Sequence, residues 1–404
     1  MFDHLLIYDR GERTLVGLAD LLLSAGRSIV PRRSTGDPPV TRILVLRLER
    51  IGDLLMTLPA LAELRAALPE ATIDLVVGSW NESLARLVRV VDEVHTLDAP
   101  WLARDRADVG YGDLIRRARS WRTGGYDLAL NFEGDIRSNA LMALSGAPRR
   151  AGFGIKGGAA LLTEHGQHER GAHVAVNAGR LVDTILTRPS TPLAPSDQPM
   201  LDLPESARFG AGALLEHARE PLIGLHASGG RAIKQWDPAR FAETANRIVA
   251  VHGGTVVLTG SSEDRAIVEQ VKGQLTSDTP VVDLTGRADL PTLAAVLERL
   301  TLYITGDTGP MHLAAAVGTP IVGVFGPSDP ANYRPWVAPT RATIVRVDIW
   351  CSPCNQIRRP PSRCVGHGPD CLVGVEVDAV VDAATALLDR RTRMRSADAD
   401  LSAL

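Results

Sequence analysis

The segment Ile43 to Val77 constrains the fold more than any other. ILVLRL at Ile43 is a near-continuous apolar run of strand length, Gly52 and Asp53 break it, and LPALAELRAALP repeats apolar residues at helical spacing before a second strand run, Ile73 to Val77. Strand, helix and strand in that order form a βαβ unit, which commits the chain to parallel strands covered by helices. A further strand run starts at Leu128, and beyond residue 205 PLIGLHAS, TVVLTG, VVDLTG, LYIT and PIVGVFG alternate with helical segments. Between them, Pro189, Pro192, Pro195, Pro199 and Pro204 exclude regular structure, since each removes a backbone donor. The sequence therefore predicts an α/β protein with an extension over 1–40, a first domain over 41–186, a linker over 187–205, a second domain over 206–385 and a solvated tail over 386–404. With 404 residues and 45% hydrophobic content, the chain can fill two cores. One helix is fully punctuated: Asp237 caps it, Pro238 takes its first position and Gly253 follows His252 at its end.

Charge and aromatic content narrow the function. A net charge of −3 with 4% aromatic residues lacks the basic surface and stacking platforms of a nucleic-acid binder. The start, MFDHLLIYDRGER, is charged where a secretory signal needs an apolar core, so a cytoplasmic enzyme is expected. Asp20 and Arg27 interrupt the apolar stretch Leu15 to Val30, which falls short of a membrane span. Two readings of that stretch stay open: a helix packed on the protein's own surface, which is favoured, and an amphipathic helix on the inner membrane leaflet with Arg27, Arg32 and Arg33 near the headgroups.

Two loops carry candidate chemistry. In TGDTGPMHLAAAVG, the strand Leu302 to Thr305 meets a helix through a turn in which Gly306 and Gly309 permit close backbone approach and Pro310 suits the first helical turn. Free N–H groups and the positive dipole end favour an anion there, with Thr308 adding a hydroxyl; an ordinary strand-to-helix turn has the same pattern. Upstream, Asp53 lies at the carboxyl end of its strand, where open parallel sheets place ligands, and it also fits a helix N-cap.

Four blocks, RLERIGDLLMTLPAL, NFEGDIRSNALMALSGAPRRAGF, HASGGRAIKQWDPARFAETANRI and TGDTGPMHLAAAVGTPIVGVFGPSDP, together resemble glycosyltransferase family 9, the ADP-heptose:lipopolysaccharide heptosyltransferases. The resemblance spans roughly Thr41 to Ala384. It implies a GT-B architecture, two Rossmann-like domains with parallel sheets facing a central cleft, the first binding acceptor and the second a nucleotide sugar. It implies Asp53 as general base beside Gly52, and Ser228, Gly229, Lys234, Glu263, Asp307, Thr308, Gly309 and His312 around the donor. Arg137, Arg149 and Arg150 in the middle block suit an acceptor rich in carboxylate and phosphate. Inversion at the anomeric carbon, a lipid-linked or lipopolysaccharide-type acceptor and peripheral contact with the inner membrane are likewise implications of the resemblance. A sugar-nucleotide epimerase of related architecture is the alternative.

No cofactor is expected for catalysis, because the one clear DxD pair, Asp398 and Asp400, lies in the tail. The four cysteines Cys351, Cys354, Cys364 and Cys371 fall close together and nowhere else. C-x2-C followed by two further Cys, with His367 as a substitute ligand, fits a structural zinc or iron that staples a loop; reduced, metal-free thiols are the competing reading.

Overall fold

The structure is a computed structural model that describes every residue except 1, 3, 28–38, 103–109, 190–192, 197, 366–367 and 403–404, and only the backbone at 26–27, 392 and 394–402. Its contacts divide the chain into two units, Met1–Ala194 and Pro195–Leu404.

Unit 1 carries strands β1 (Arg42–Arg47), β2 (Thr72–Val77), β3 (Glu93–Thr96), β4 (Leu128–Asn131), β5 (Arg149–Gly152) and β6 (Glu164–His165), all paired in parallel in the order β3-β2-β1-β4-β5-β6. The central strands are buried on both faces, as their unbroken apolar runs require. Helix α1 (Arg10–Arg27) precedes the sheet, and α2 (Ile51–Ala67) follows β1 directly. Strand order reverses between β1 and β4, so the loops after these two strands flank a topological switch point, the place where doubly wound sheets bind ligands.

Unit 2 repeats the plan with β7 (Leu222–His226), β8 (Thr255–Leu258), β9 (Val281–Asp283), β10 (Leu302–Gly306), β11 (Ile321–Val324) and β12 (Ala342–Val345), in the order β12-β11-β10-β7-β8-β9. Its switch point lies between β7 and β10. The helix Pro238–His252 has the expected ends: Asp237 accepts from the Ala239 N–H at 2.8 Å, Pro238 opens the helix and Gly253 closes it at φ 68°. Trp236, just before this cap, is buried, donates to the Val375 carbonyl at 3.2 Å and meets Phe241 edge-on. These contacts anchor the carboxyl end of the loop after β7.

Two expectations at the chain ends change. The final helix, Val377–Ser402, continues through the segment read as a solvated tail. Helix α1 divides its faces: Phe2 packs on Gly17 and Asp20 accepts from the Gly158 N–H at 2.8 Å, whereas Leu15, Leu18, Leu21 and Leu22 are 73, 53, 56 and 76% exposed. Packing on the protein's own surface thus accounts for only one side of this helix. The Arg27 side chain and Arg32 and Arg33 lie outside the described residues. Among the described residues, no helix is long and apolar enough to cross a membrane.

Candidate active site

In unit 2, the loops after β7, β8, β10 and β11 converge at the switch point. Lys234 closes the short helical turn Ala232–Lys234 after β7 and places Nζ 2.7 Å from Asp307 Oδ2, just beyond β10. Both side chains are largely buried, so little water screens the pair. Asp307 Oδ2 also accepts from Ser328 Oγ at 2.5 Å, and His312 Nε2 lies 4.0 Å from Oδ1. Thr308 caps the helix Gly309–Ala316 from an extended backbone, with its hydroxyl 3.2 Å from that of Thr305 and no cap bond of its own. The orphan N–H groups of this first turn and the Lys234 ammonium together form a donor set for phosphate oxygens. Ser228 donates to Asp264 Oδ1 at 2.5 Å, tying the β7 loop to the β8 loop. At Gly229 an added Cβ would meet the Lys234 backbone at 3.0 Å, so the loop folds tightly back on itself. Glu263 is exposed on the turn Ser262–Asp264 beside this group. Asp264 and Ser328 escape the sequence reading, because nothing local marks them.

In unit 1, Asp53 is the third residue of α2. Its Oδ2 accepts from the Arg50 N–H at 3.2 Å, so it belongs to a capping box and is not the N-cap itself. Gly52 is buried in the same turn. The buried Arg47 binds the Asp53 carbonyl at 3.0 Å, reaches Glu49 Oε1 at 2.9 Å and stands 3.9 Å from Asp53 Oδ1. Glu133 and Asp135 enter from the loop after β4, which Gly134 allows at φ 74°; an added Cβ there would strike Phe153 and Ile155. Lys156 is clipped to that loop by its N–H to the Gly134 carbonyl at 3.0 Å. Burial pushes Glu49 up to about 8 against the pull of Arg47, with Glu133 and Asp53 adding to the rise. Burial also raises Glu133, helped by Asp135. For Asp135 burial works upward too, but hydrogen bonds from Arg137 hold its carboxyl below the usual range. NFEGD sits after β4 as LERIGD sits after β1, so Glu49, Glu133 and Asp135 were findable by the logic that singled out Asp53; Lys156 was not.

The three arginines are differently placed. Arg137 is at the switch point but forks onto Asp135 at 2.8 and 2.7 Å and stacks over Trp101 at 5.0 Å. Arg149 opens β5, at the amino end of the sheet and away from the switch point, where Glu164 holds it at 2.7 and 3.0 Å. Arg150 spends its guanidinium on the carbonyls of Leu161 and Ala147.

All four cysteines are free thiols. Burial, then the other three cysteines, pushes Cys371 up to about 11, so they are neighbours. Among the described residues, no three of the four sulfurs lie within 4.8 Å of one another. Among the described residues the group of three or more metal-ligating side chains with ligand atoms within 4.8 Å of one another is Asp74, Glu93 and His95. His367 lies outside the described residues.

Two Rossmann-like units, each with polar loops gathered at its switch point, define an α/β enzyme of the GT-B class. Residues 114–362 match glycosyltransferase family 9 (heptosyltransferase), so the chain belongs to that family and is a glycosyltransferase. It is 24% identical over 298 residues to lipopolysaccharide heptosyltransferase 3 of Escherichia coli, covering 70% of this chain and 83% of that protein. The solved structure of Escherichia coli ADP-heptose lipopolysaccharide heptosyltransferase II superposes with a TM-score of 0.70 at 21% identity, covering 87% of this chain and 100% of that one. A family 9 glycosyltransferase from Veillonella parvula gives 0.71 at 23% identity, covering 88% and 99%.

Proposed function

We propose that the protein transfers a heptose or related sugar from a nucleoside diphosphate donor, with ADP-heptose as the first candidate, to an alcohol of a lipopolysaccharide-type acceptor. Unit 2 takes the donor and unit 1 the acceptor. The observation that carries this reading is the meeting of the Lys234 ammonium with the amino end of the helix Gly309–Ala316 at one switch point. A departing diphosphate needs positive charge where its own charge grows, and a cation beside orphan N–H groups can supply it. Asp307, already bonded to Lys234, takes the sugar hydroxyls in this reading, since its charge would repel phosphate.

In unit 1, Asp53 accepts the proton of the attacking hydroxyl. Its backbone is fixed by α2 and by Arg47, so the carboxylate is held in one orientation. Displacement in line from the face opposite the diphosphate inverts the anomeric centre. The exposed leucines of α1 suit an interfacial helix, which would bring the enzyme to a lipid-borne acceptor.

Isothermal titration with ADP, UDP and GDP, on wild type and Lys234→Ala, tests the donor site. Selective ADP binding that weakens on loss of Lys234 supports the reading. Preference for UDP or GDP discards ADP-heptose, and no binding to any of the three refutes the donor assignment.

A further inference from the structure

Away from the switch point, the outer strands of unit 1 bring together three side chains of metal-binding type. β3 is the edge strand of its sheet, and its register sets Glu93 directly opposite Asp74 of β2. Residues two apart on a strand share a face, so His95 joins them on that side of the sheet. His95 Nε2 stands 3.8 Å from Asp74 Oδ2 and 3.7 Å from Glu93 Oε2, and one ligand atom from each of the three lies within 4.8 Å of the others. These separations are too long for hydrogen bonds. They suit the space around a small cation: with metal–ligand bonds of about 2.1 Å, tetrahedral ligands lie about 3.4 Å apart. The exposed Glu93 and half-exposed His95 can close the difference.

The buried carboxylate is a second, independent sign. Asp74 is 1% exposed, and its Oδ1 is buried with no donor directed at it. Its Oδ2 is provided for: the Tyr126 hydroxyl donates at 2.6 Å and Arg42 Nη2 at 3.4 Å. The carboxylate is thus held in one orientation with acceptor capacity to spare, as a metal ligand requires. Two carboxylates opposite one another on paired strands also repel, and a cation between them removes that cost. The three residues line an open cavity of about 700 Å³ whose other cations have partners of their own: Arg86 binds Glu82 at 2.7 Å, and Arg117 donates to the Thr96 carbonyl at 3.4 Å. An anion drawn in by these arginines would still face Asp74 and Glu93.

We propose that Asp74, Glu93 and His95 bind a divalent transition-metal cation, zinc first among them, which clips the edge strand β3 to β2 and keeps its remaining positions open to the cavity. An imidazole beside two carboxylates suits zinc and its neighbours better than magnesium or calcium, which take oxygen ligands. Glu93 opens β3 and the cavity reaches Arg42, which opens β1, so the site lies toward the amino ends of the strands. Asp53 follows the carboxyl end of β1, so this ion serves the sheet edge, and the inference stands apart from the proposed function.

Calorimetric titration of zinc into full-length protein stripped with EDTA tests the site, on wild type, His95→Ala and Glu93→Gln. Neither side chain is buried, so both variants should fold, which circular dichroism without zinc checks. Because the cysteines can also take zinc, cobalt(II) is titrated in parallel: thiolate ligands give an intense charge-transfer band that nitrogen and oxygen ligands lack. Wild type should take up a zinc equivalent that each variant binds about tenfold or more weakly, with cobalt entering that position without the thiolate band. Zinc should also raise the thermal midpoint of wild type more than that of either variant, since an ion that binds only the folded state stabilises it. No zinc uptake, equal uptake in wild type and both variants, or cobalt bound only with the thiolate band overturns the proposal.

Discussion

Replacing Asp307 by Asn separates the two tasks assigned to the unit 2 site. The Lys234 ammonium sits 2.7 Å from the Asp307 carboxylate, a gross attraction of about 6 kcal/mol at the effective dielectric of about 20 that suits such sites. Most of that is offset by desolvation of the two charges, so only a fraction is recoverable by a competing anion. Asn keeps the shape and can still accept from Ser328, but it frees the ammonium and removes the negative charge beside the diphosphate. A net gain of about 1–2 kcal/mol, equivalent to roughly 5- to 30-fold tighter binding of the bare nucleoside diphosphate, is expected. The gain should shrink as salt is raised, because it is electrostatic. Turnover with the full nucleotide sugar should fall instead, because the sugar hydroxyls lose a charged acceptor. Titration calorimetry at two salt concentrations, alongside single-turnover assays on the same preparation, reads both effects. Weaker or unchanged nucleotide binding in a variant with native circular dichroism would refute the reading that Asp307 competes with the diphosphate for Lys234.

Two further outcomes follow from unit 1. Asp53→Asn retains an oxygen to accept from the Arg50 N–H, so the fold should survive while turnover drops roughly 10²- to 10⁴-fold; near-normal turnover would remove Asp53 from the mechanism. Changing Leu15, Leu18 and Leu22 of α1 to Ser should abolish co-flotation with anionic phospholipid vesicles, each buried leucine being worth about 1.5–3 kcal/mol; undiminished flotation would show that this face does not meet lipid.

Much of this was legible in the chain itself. Apolar runs of strand length alternating with helical periodicity determine two parallel α/β units, because only strands buried on both faces read that way. Local chemistry also determines where elements begin and end: Asp237, Pro238 and Gly253 satisfy or terminate a hydrogen-bond ladder whatever surrounds them. Asp53 and Thr308 stand out in the loops that follow strands, whereas Lys234 stands out only through the family resemblance.

Which residues meet was decided only by the tertiary structure. Strand order puts the β1 loop beside the β4 loop and the β7 loop beside the β10 loop, and so brings Glu133 close enough to raise Glu49 and joins Lys234 to Asp307. The same register carries Arg149 to the amino end of its strand and binds it to Glu164, although the sequence groups it with Arg137. Burial then separates the carboxyl groups: desolvation pushes Glu49 up to about 8, whereas hydrogen bonds from Arg137 hold Asp135 below the usual range. Periodicity and capping are properties of a few neighbouring residues, whereas pairing and desolvation depend on groups far apart in the chain that only the completed sheets bring together.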